Sequence, residues 1–180
     1  TGGGLQRYDY ISTNVGCIHR FGVSLTDSAI YWYDVHNNRQ YKLSEGLEPV
    51  NDINGLTGFF TNNILKNIRE GDNPYLNKGI TSTYDYLFNE VNFTFKDYYT
   101  VDVIGETFYK DVTVCYNEII KGYASFYDFK PSVYVNDKWN LFSTNEDNTK
   151  LYIHNYGNYG EFYDVKYPSK VSFIVNESPL

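Results

Sequence analysis

The sequence lacks several features that would point to particular classes of protein. Among its 180 residues there is no Met, and Ala and His occur only two and three times. No stretch approaches the roughly 18 consecutive apolar residues of a membrane-spanning helix, and no basic amphipathic helix is present. The 15 Lys and Arg are outnumbered by 22 Asp and Glu, whereas nucleic-acid binders need positive charge to neutralise phosphates. We therefore expect no membrane span and no specific binding of nucleic acid.

Cysteine is scarce as well. Cys17 and Cys115 are the only two, and they stand far apart in the chain. A disulfide scaffold in a chain of this length would normally use more cysteines. We therefore predict two core thiols that are not bridged to each other.

Aromatic residues and Asn are abundant instead. The chain holds 20 Tyr, 20 Asn and 12 Phe, and AT-rich codons account for part of this excess. Aromatic residues together with scarce Ala favour strands over helices. The composition therefore predicts an all-β protein, or nearly so.

Apolar and polar residues alternate along much of the chain, which is typical of half-buried antiparallel strands. In residues 90–96, Val91, Phe93 and Phe95 share one face. Asn-rich turns at 35–38 and 145–148 separate such runs. The pattern predicts antiparallel meanders, compatible with a sandwich, a barrel or propeller-like blades. The other predicted strands are 17–25, 29–34, 39–43, 112–118, 123–129, 139–143, 150–155, 161–166 and 170–176.

One segment departs from this alternation of apolar and polar residues. In residues 56–69 the apolar side chains recur at spacings of three and four, which predicts one inserted α-helix, the only helix longer than two turns. Asp52 or Asn54 could cap its start and Gly71 its end. The chain then divides into a first β region (1–52), a helical insertion (53–72) and a second β region (73–180).

Candidate catalytic and metal-binding residues are few. Cys17-Ile18-His19 lies in a predicted strand and is better explained as a packed strand face than as a nucleophile and its base. The three His residues, His19, His36 and His154, form no clustered metal motif, and 145–148 is better explained as a turn than as a calcium loop. We predict no catalytic, cofactor-binding or metal-binding residues and no cofactor.

Two features of the sequence are compatible with a sugar-binding site. A glycosidase needs two carboxylates, and five Asp residues adjoin aromatic residues, although adjacency to Tyr says little in a chain with 20 of them. Trp32 and Trp139 could form a sugar-stacking platform, or could be buried in the core. Asn92-Phe93-Thr94 and Asn176-Glu177-Ser178 match the glycosylation triplet, as chance alone would allow in an Asn-rich chain. The five carboxylates are Asp34, Asp85, Asp97, Asp128 and Asp164.

A series of phrases, taken in their order and spacing, resembles a known family. The phrases are GVSLTDSAIYWYD (22–34), NNRQYKLS (37–44), EGLEPV (45–50), STYD (82–85), NEV (89–91), YNE (116–118), ASFY (124–127), LYIHN (151–155) and FIVNE (173–177). The chain is similar to the tail stabilisation (muzzle) proteins of crAss-like bacteriophages, which infect gut Bacteroidales. The likeness covers roughly residues 15–60 and 80–178.

This resemblance implies a structural virion protein at the distal end of a short phage tail, made in the cytoplasm of the host bacterium. It implies propeller-like β domains, several copies in a ring around the tail axis, contacts with other tail proteins and no enzyme activity. DNA would pass along the tail without specific binding. Because family members are far longer and this chain begins Thr1-Gly2-Gly3-Gly4, we expect a segment of a longer polypeptide.

Two other functions remain open on the sequence. A carbohydrate-binding module or host-surface-binding β domain would present exposed aromatic rings, with a host-surface glycan as its ligand. A glycoside hydrolase fragment would present paired carboxylates in a cleft.

Overall fold

The computed structural model describes residues 10–53, 55–64, 72, 73, 76, 78–103 and 106–168, with side chains for all of these except 53, 97–103 and 106–110. Thirteen strands and two short helices follow one another along this part of the chain. In chain order these are β1 (Val23–Leu25), β2 (Ile30–Asp34), β3 (Arg39–Leu43), β4 (Leu47–Pro49), α1 (Val50–Ile53), α2 (Thr57–Asn63), β5 (Gly79–Asp85), β6 (Glu90–Val103), β7 (Glu106–Asn117), β8 (Gly122–Tyr127), β9 (Tyr134–Asn136), β10 (Leu141–Thr144), β11 (Leu151–Ile153), β12 (Glu161–Phe162) and β13 (Val165–Lys166).

The strands form four antiparallel sheets. Strands β1–β4 and β5–β8 make two four-stranded meanders, β9–β11 make a three-stranded meander, and β12 and β13 form a hairpin. The predominantly β architecture and the antiparallel meanders predicted from the sequence are confirmed. Within the described residues, no helix has the length and apolar character needed to cross a membrane.

Aromatic side chains build the core between the first two sheets and α2. Tyr31 and Tyr33 of β2 are fully buried, and Phe93 and Phe95 of β6 face them. Phe60 of α2 completes the cluster, with its ring centroid 5.2 Å from that of Tyr33. Such rings bury large apolar areas and prefer tilted or edge-on contacts, as seen here. The alternation read from the sequence therefore marks the core face correctly.

The same kind of hairpin turn connects strands in both four-stranded meanders. The residue that precedes the four-residue loop accepts, through its side chain, hydrogen bonds from backbone N–H groups two or three residues later in the chain. Asp34 Oδ1 accepts from His36 N at 2.8 Å, and Asp85 Oδ1 accepts from Leu87 N at 2.9 Å. The fourth loop residue is Asn38 (φ 50°) or Asn89 (φ 56°), and Asn tolerates this left-handed conformation better than most residues.

Glu118 links the first meander to the second. Its Oε1 accepts hydrogen bonds from Thr26 Oγ1 at 3.0 Å, Ser28 Oγ at 3.0 Å and the Tyr31 hydroxyl at 2.9 Å. Because Glu118 follows β7, this carboxylate joins the β1–β2 turn to the β7–β8 turn.

The predicted helix 56–69 is wrong in its extent. Helix α2 spans Thr57–Asn63, and Ile64 is extended with φ −94° and ψ 122°. Ile64 is nevertheless buried, so its apolar character reflects core packing and not a further helical turn. The N-cap position is Leu56, which makes no side-chain cap hydrogen bond, so the cap proposed at Asp52 is wrong. Asn54, Gly71 and residues 65–69 lie outside the described residues.

Some predicted strands are also shorter than expected. In the segment 17–25 only β1 is a strand, because a turn closed by Gly22 N to His19 O at 3.0 Å precedes it. The segment 161–166 is a hairpin, since Tyr163 (φ 54°) and Asp164 (φ 64°) form a left-handed two-residue turn between β12 and β13. The predicted strand 170–176 lies outside the described residues.

Strands β6 and β7 extend beyond their sheet as a two-stranded arm. Strand β5 pairs with β6 only as far as Lys96, and β8 pairs with β7 only from Thr113 onwards. A register shift follows Phe95, after which the pairs run from Tyr99↔Lys110 to Val103↔Glu106. Within the described residues, no other strand flanks this outer part of the hairpin.

Candidate functional site: a cavity with paired carboxylates

A cavity of ≈420 Å³ lies beside the second meander, below the loop that follows β11. Asp85 ends β5, Glu90 begins β6, and Asn92 lies two residues further along β6; all three line the cavity. Asp85 and Glu90 are directly opposite each other in the register of the two strands. The hairpin turn between them thus brings two carboxylates to one place, and we call this space the carboxylate cavity.

Protein donors hold both carboxylates in position. Tyr127 donates a 2.8 Å hydrogen bond to Glu90 Oε2, and Asn155 Nδ2 donates one of 2.8 Å to Asp85 Oδ2. Asp85 and Glu90 are only 6% and 9% exposed. No Lys or Arg is among the described residues that line the cavity. The cavity is consequently rich in hydrogen-bond acceptors and carries negative charge.

Asn92 differs from its neighbours. It is 2% exposed, and its Oδ1 has no hydrogen-bond partner within the described part of the chain. A buried acceptor without a partner costs about 1–3 kcal/mol, and such groups are rare in native proteins. This oxygen is also closed to solvent, so a ligand in the cavity does not reach it.

Burial keeps Cys115 and Tyr127 protonated beside Glu90. Burial raises the pKa of the Cys115 thiol far above its usual value, and the negative charge of Glu90 adds to the effect. Burial likewise raises the pKa of Tyr127, with contributions from Cys115 and Glu90. Both groups therefore act as hydrogen-bond donors to the carboxylate and not as nucleophiles.

Aromatic rings form one wall and the rim of the cavity. Tyr127 stacks on Phe129 with centroids 4.8 Å apart, and Phe129 lies 5.0 Å from Phe162. At the rim, Tyr156 is 85% exposed and Tyr159 is 100% exposed. The cavity therefore combines flat apolar faces with convergent acceptors.

The structure describes the side chains of four of the five sequence-predicted carboxylates and brings one of them into this cavity. Asp85 lines it, whereas Asp34 accepts hydrogen bonds within the β2–β3 turn and Asp164 forms an ion pair with Lys150 at the surface, 2.7 Å apart. Asp128 lines a separate surface depression, and the side chain of Asp97 lies outside the described part. The missed partner is Glu90; its signal was the register of the turn, which places the residue after Asn89 opposite Asp85.

The two Trp residues do not form a common platform. Trp139 lies in the β9–β10 turn and is 90% exposed, so core burial is wrong for it. Trp32 is half-buried and stacks on Tyr41 with centroids 5.9 Å apart. Asn92, in the first glycosylation triplet, is buried within β6, and Asn176 lies outside the described residues.

Cys17 and His19 do not form a nucleophile–base pair. The Cys17 thiol donates to the backbone oxygen of His19 at 3.2 Å, and His19 Nδ1 lies 3.5 Å from Asp72 Oδ1. Burial raises the pKa of Cys17 and lowers the pKa of His19. Cys17 and Cys115 are both free thiols, as predicted.

A pair that the sequence did not reveal joins β10 to the residue that follows β11. Ser143 Oγ and His154 Nε2 are 2.6 Å apart, and Ser143 Oγ is also 2.7 Å from the Tyr163 hydroxyl. Ser143 is fully buried, which leaves no room for a substrate at its hydroxyl. Burial lowers the pKa of His154 to about 4, partly opposed by Asp85, so His154 is neutral at pH 7. The pair is best explained as a packing contact.

The remaining candidates serve local structure. His36 lies in the β2–β3 turn, and residues 145–148 are a turn in which Asn145 and Asp147 accept hydrogen bonds from Thr149 N. Within the described residues, no group of three or more His, Cys, Asp or Glu is placed to hold a metal ion.

Comparison with known proteins identifies a class of phage protein. The Crassvirus muzzle protein family matches residues 1–147, which is most of the chain, and the chain belongs to that family. The family expected from the sequence phrases is thereby confirmed.

A curated relative is the Muzzle protein of Bacteroides phage crAss001. It is 24% identical over 170 residues, which cover 93% of this chain. The chain spans about 11% of the length of that relative.

Proposed function

We propose that this chain is a structural part of a phage virion, acts through contacts in the distal tail assembly of a short-tailed phage, and catalyses no reaction. Membership of the Crassvirus muzzle protein family is the observation that carries the proposal. In this proposal the chain is a β-rich segment of a longer protein, its four-stranded meanders act as propeller-like blades, and several copies surround the tail axis.

An exposed apolar surface supports a role in contacts. We call it the hairpin-tip surface and define it by Leu87, Phe88, Ile119, Ile120 and Trp139, which are between 49% and 90% exposed. Leu87 and Trp139 line one depression, and Asn117 Nδ2 bonds the Phe88 oxygen, which joins the two neighbouring turns. Contiguous apolar groups of this kind usually mark protein–protein interfaces.

The two-stranded arm supports the same role. A lone pair of strands is marginally stable in water, and its open edges can pair with another chain. Residues 99–103 and 106–110 form such a pair, with no further strand beside it among the described residues. Contacts with other tail proteins or with further copies of the chain would stabilise it.

Charge and chemistry agree with a mechanical role. The net charge of −7 would let DNA pass along a tail channel without being held by its phosphates. Ser143 is buried, and the pKa values of both thiols are raised, so none of these groups is prepared as a nucleophile.

The proposal is tested on purified virions of the phage that encodes the chain. We expect mass spectrometry to find its peptides in intact particles, and cross-linking to connect residues near the hairpin-tip surface to other tail proteins. Cryo-electron microscopy should place the density at the distal tail. Peptides found only in the lysate and not in particles would overturn the structural role.

The absence of catalysis is tested separately. The purified chain, incubated with bacterial capsule polysaccharides, should release no new reducing ends above a buffer control. Turnover that is lost in Glu90→Gln would overturn this part of the proposal and would indicate a glycoside hydrolase.

A further inference from the structure

We propose that the carboxylate cavity binds a neutral saccharide, with Asp85 and Glu90 accepting hydrogen bonds from its hydroxyl groups and the rim tyrosines packing on its ring faces. This inference goes beyond the structural role and does not depend on it, because it rests on the cavity alone.

The acceptors of the cavity are the first argument. The Tyr127 hydroxyl and the Asn155 amide already donate to Glu90 and Asp85, so they hold the carboxylates in place and leave few donors for a ligand. A ligand that fits must therefore bring donors, and a polyhydroxylated molecule does so.

The charge of the cavity limits the ligand further. Asp85, Glu90 and Glu161 line it, and no described lining residue is Lys or Arg. An anionic ligand such as a phosphate or a uronic acid would be repelled. A neutral saccharide pays no such penalty, and its hydroxyl groups form charge-assisted hydrogen bonds with the carboxylates.

The rings and the size of the cavity separate a saccharide from a metal ion. A volume of ≈420 Å³ lies in the range of about 300–1,000 Å³ typical of small-molecule sites and is far larger than one ion needs. Tyr127 and Phe129 stack on each other in the wall, and Tyr156 and Tyr159 offer exposed faces at the rim. Aromatic faces of this kind pack against the C–H face of a sugar ring and contribute nothing to a bare cation site built from oxygen ligands.

The experiment measures binding of defined sugars to the purified chain. Saturation-transfer NMR and isothermal titration calorimetry are carried out with glucose, galactose, mannose and N-acetylglucosamine, with glucuronate as the charged counterpart of glucose, and with calcium chloride. We expect at least one neutral sugar to bind and glucuronate not to bind. No signal from any neutral sugar overturns the proposal, and binding of calcium alone shows that the site is a cation site.

Matched variants place the binding in this cavity. Tyr159→Ala should weaken binding about fivefold, equivalent to about 1 kcal/mol at 1.4 kcal/mol per factor of ten. Leu25→Ala is the control, because Leu25 is 65% exposed in β1 and lines neither this cavity nor the adjoining depression at Trp139, and it should leave the affinity unchanged. Equal loss in both variants, or in neither, overturns the assignment.

Glu90→Gln provides a sharper test. The amide keeps an acceptor for the Tyr127 hydroxyl but removes the charge of the carboxylate, so the substitution should reduce the affinity at least fivefold. Retained affinity overturns the role of Glu90.

Discussion

Asp34 provides a quantitative test of the hairpin turn that repeats along the chain. Its carboxylate is 1% exposed and accepts four hydrogen bonds. Oδ1 accepts from His36 N and Asn37 N at 2.8 and 3.1 Å, and Oδ2 accepts from Gly16 N and Asn37 Nδ2 at 3.0 and 2.8 Å. All four partners are donors, so only a side chain with two acceptor atoms satisfies this position.

Asn117 holds the equivalent position in the β7–β8 turn and has the opposite requirement. Its Oδ1 accepts from Ile119 N at 2.9 Å and Ile120 N at 3.2 Å, as Asp34 Oδ1 does in its own turn. Its Nδ2, however, donates to the Phe88 oxygen at 3.0 Å. An amide is therefore required here and a carboxylate in the β2–β3 turn.

Asp34→Asn should lower the free energy of unfolding by about 2–3 kcal/mol, because an NH₂ group would face two N–H donors, one of them the exposed Gly16. Asp34→Ala removes all four acceptor contacts and should cost about 3–5 kcal/mol. Asn117→Asp should cost only about 1 kcal/mol, since Asn117 is half-buried and water can reach its carboxylate.

The assay is urea denaturation followed by circular dichroism, with thermal melting as a second readout. For a chain of this size, about 2 kcal/mol corresponds to roughly 4–8 °C in Tm. An Asp34→Asn variant within about 0.5 kcal/mol of the parent chain, a difference typical of neutral surface substitutions, would show that the second oxygen is dispensable. A larger cost for Asn117→Asp than for Asp34→Asn would refute the donor–acceptor reasoning.

Three further predictions follow from packing, titration and exposed surface. Phe60→Ala should destabilise the chain by about 3–5 kcal/mol in the same urea assay, because the ring is fully buried against four other aromatic rings. His154 has a folded-state pKa of about 4 and an unfolded value near 6.5, so the unfolded chain binds more protons between these values. Stability should therefore fall by up to about 3 kcal/mol as the pH drops from 6.5 to 4, and the slope should flatten in His154→Gln. The isolated chain should self-associate in sedimentation velocity through its hairpin-tip surface. The double substitution Ile119→Asp and Ile120→Asp should reduce this association, whereas Leu151→Asp, at an equally exposed site outside that surface, should not; a stable monomer of the parent chain would contradict it.

Much of the fold could be predicted because burial imposes a period of two on strands. Val91, Phe93 and Phe95 alternate in the sequence and are all buried in β6. The helix was overestimated because buried residues of an extended segment can also fall at helical spacing. Ile64 fits the helical stripe of Phe60 but packs into the core from an extended backbone.

The carboxylate cavity could not be predicted in the same way, because it depends on register and not on composition. Asp85 was one of five equivalent candidates in the sequence, and Glu90 was none. Their pairing follows from the turn at residues 86–89, which places Asp85 opposite Glu90. Asp34 opens an equivalent turn, but there the opposite residue is Arg39, so of these two turns only the one after Asp85 gives a carboxylate pair.

The contrast between these two turns is an argument that the cavity has a function. At Asp34 and Arg39 a carboxylate is opposite a cation, and every hydrogen-bonding atom of Asp34 has a partner. At Asp85 and Glu90 two carboxylates are opposite each other across the strands. Like charges in a cross-strand pair cost stability. A turn that served the fold alone would be satisfied by the first arrangement, so the carboxylate pair is expected where a ligand supplies further donors.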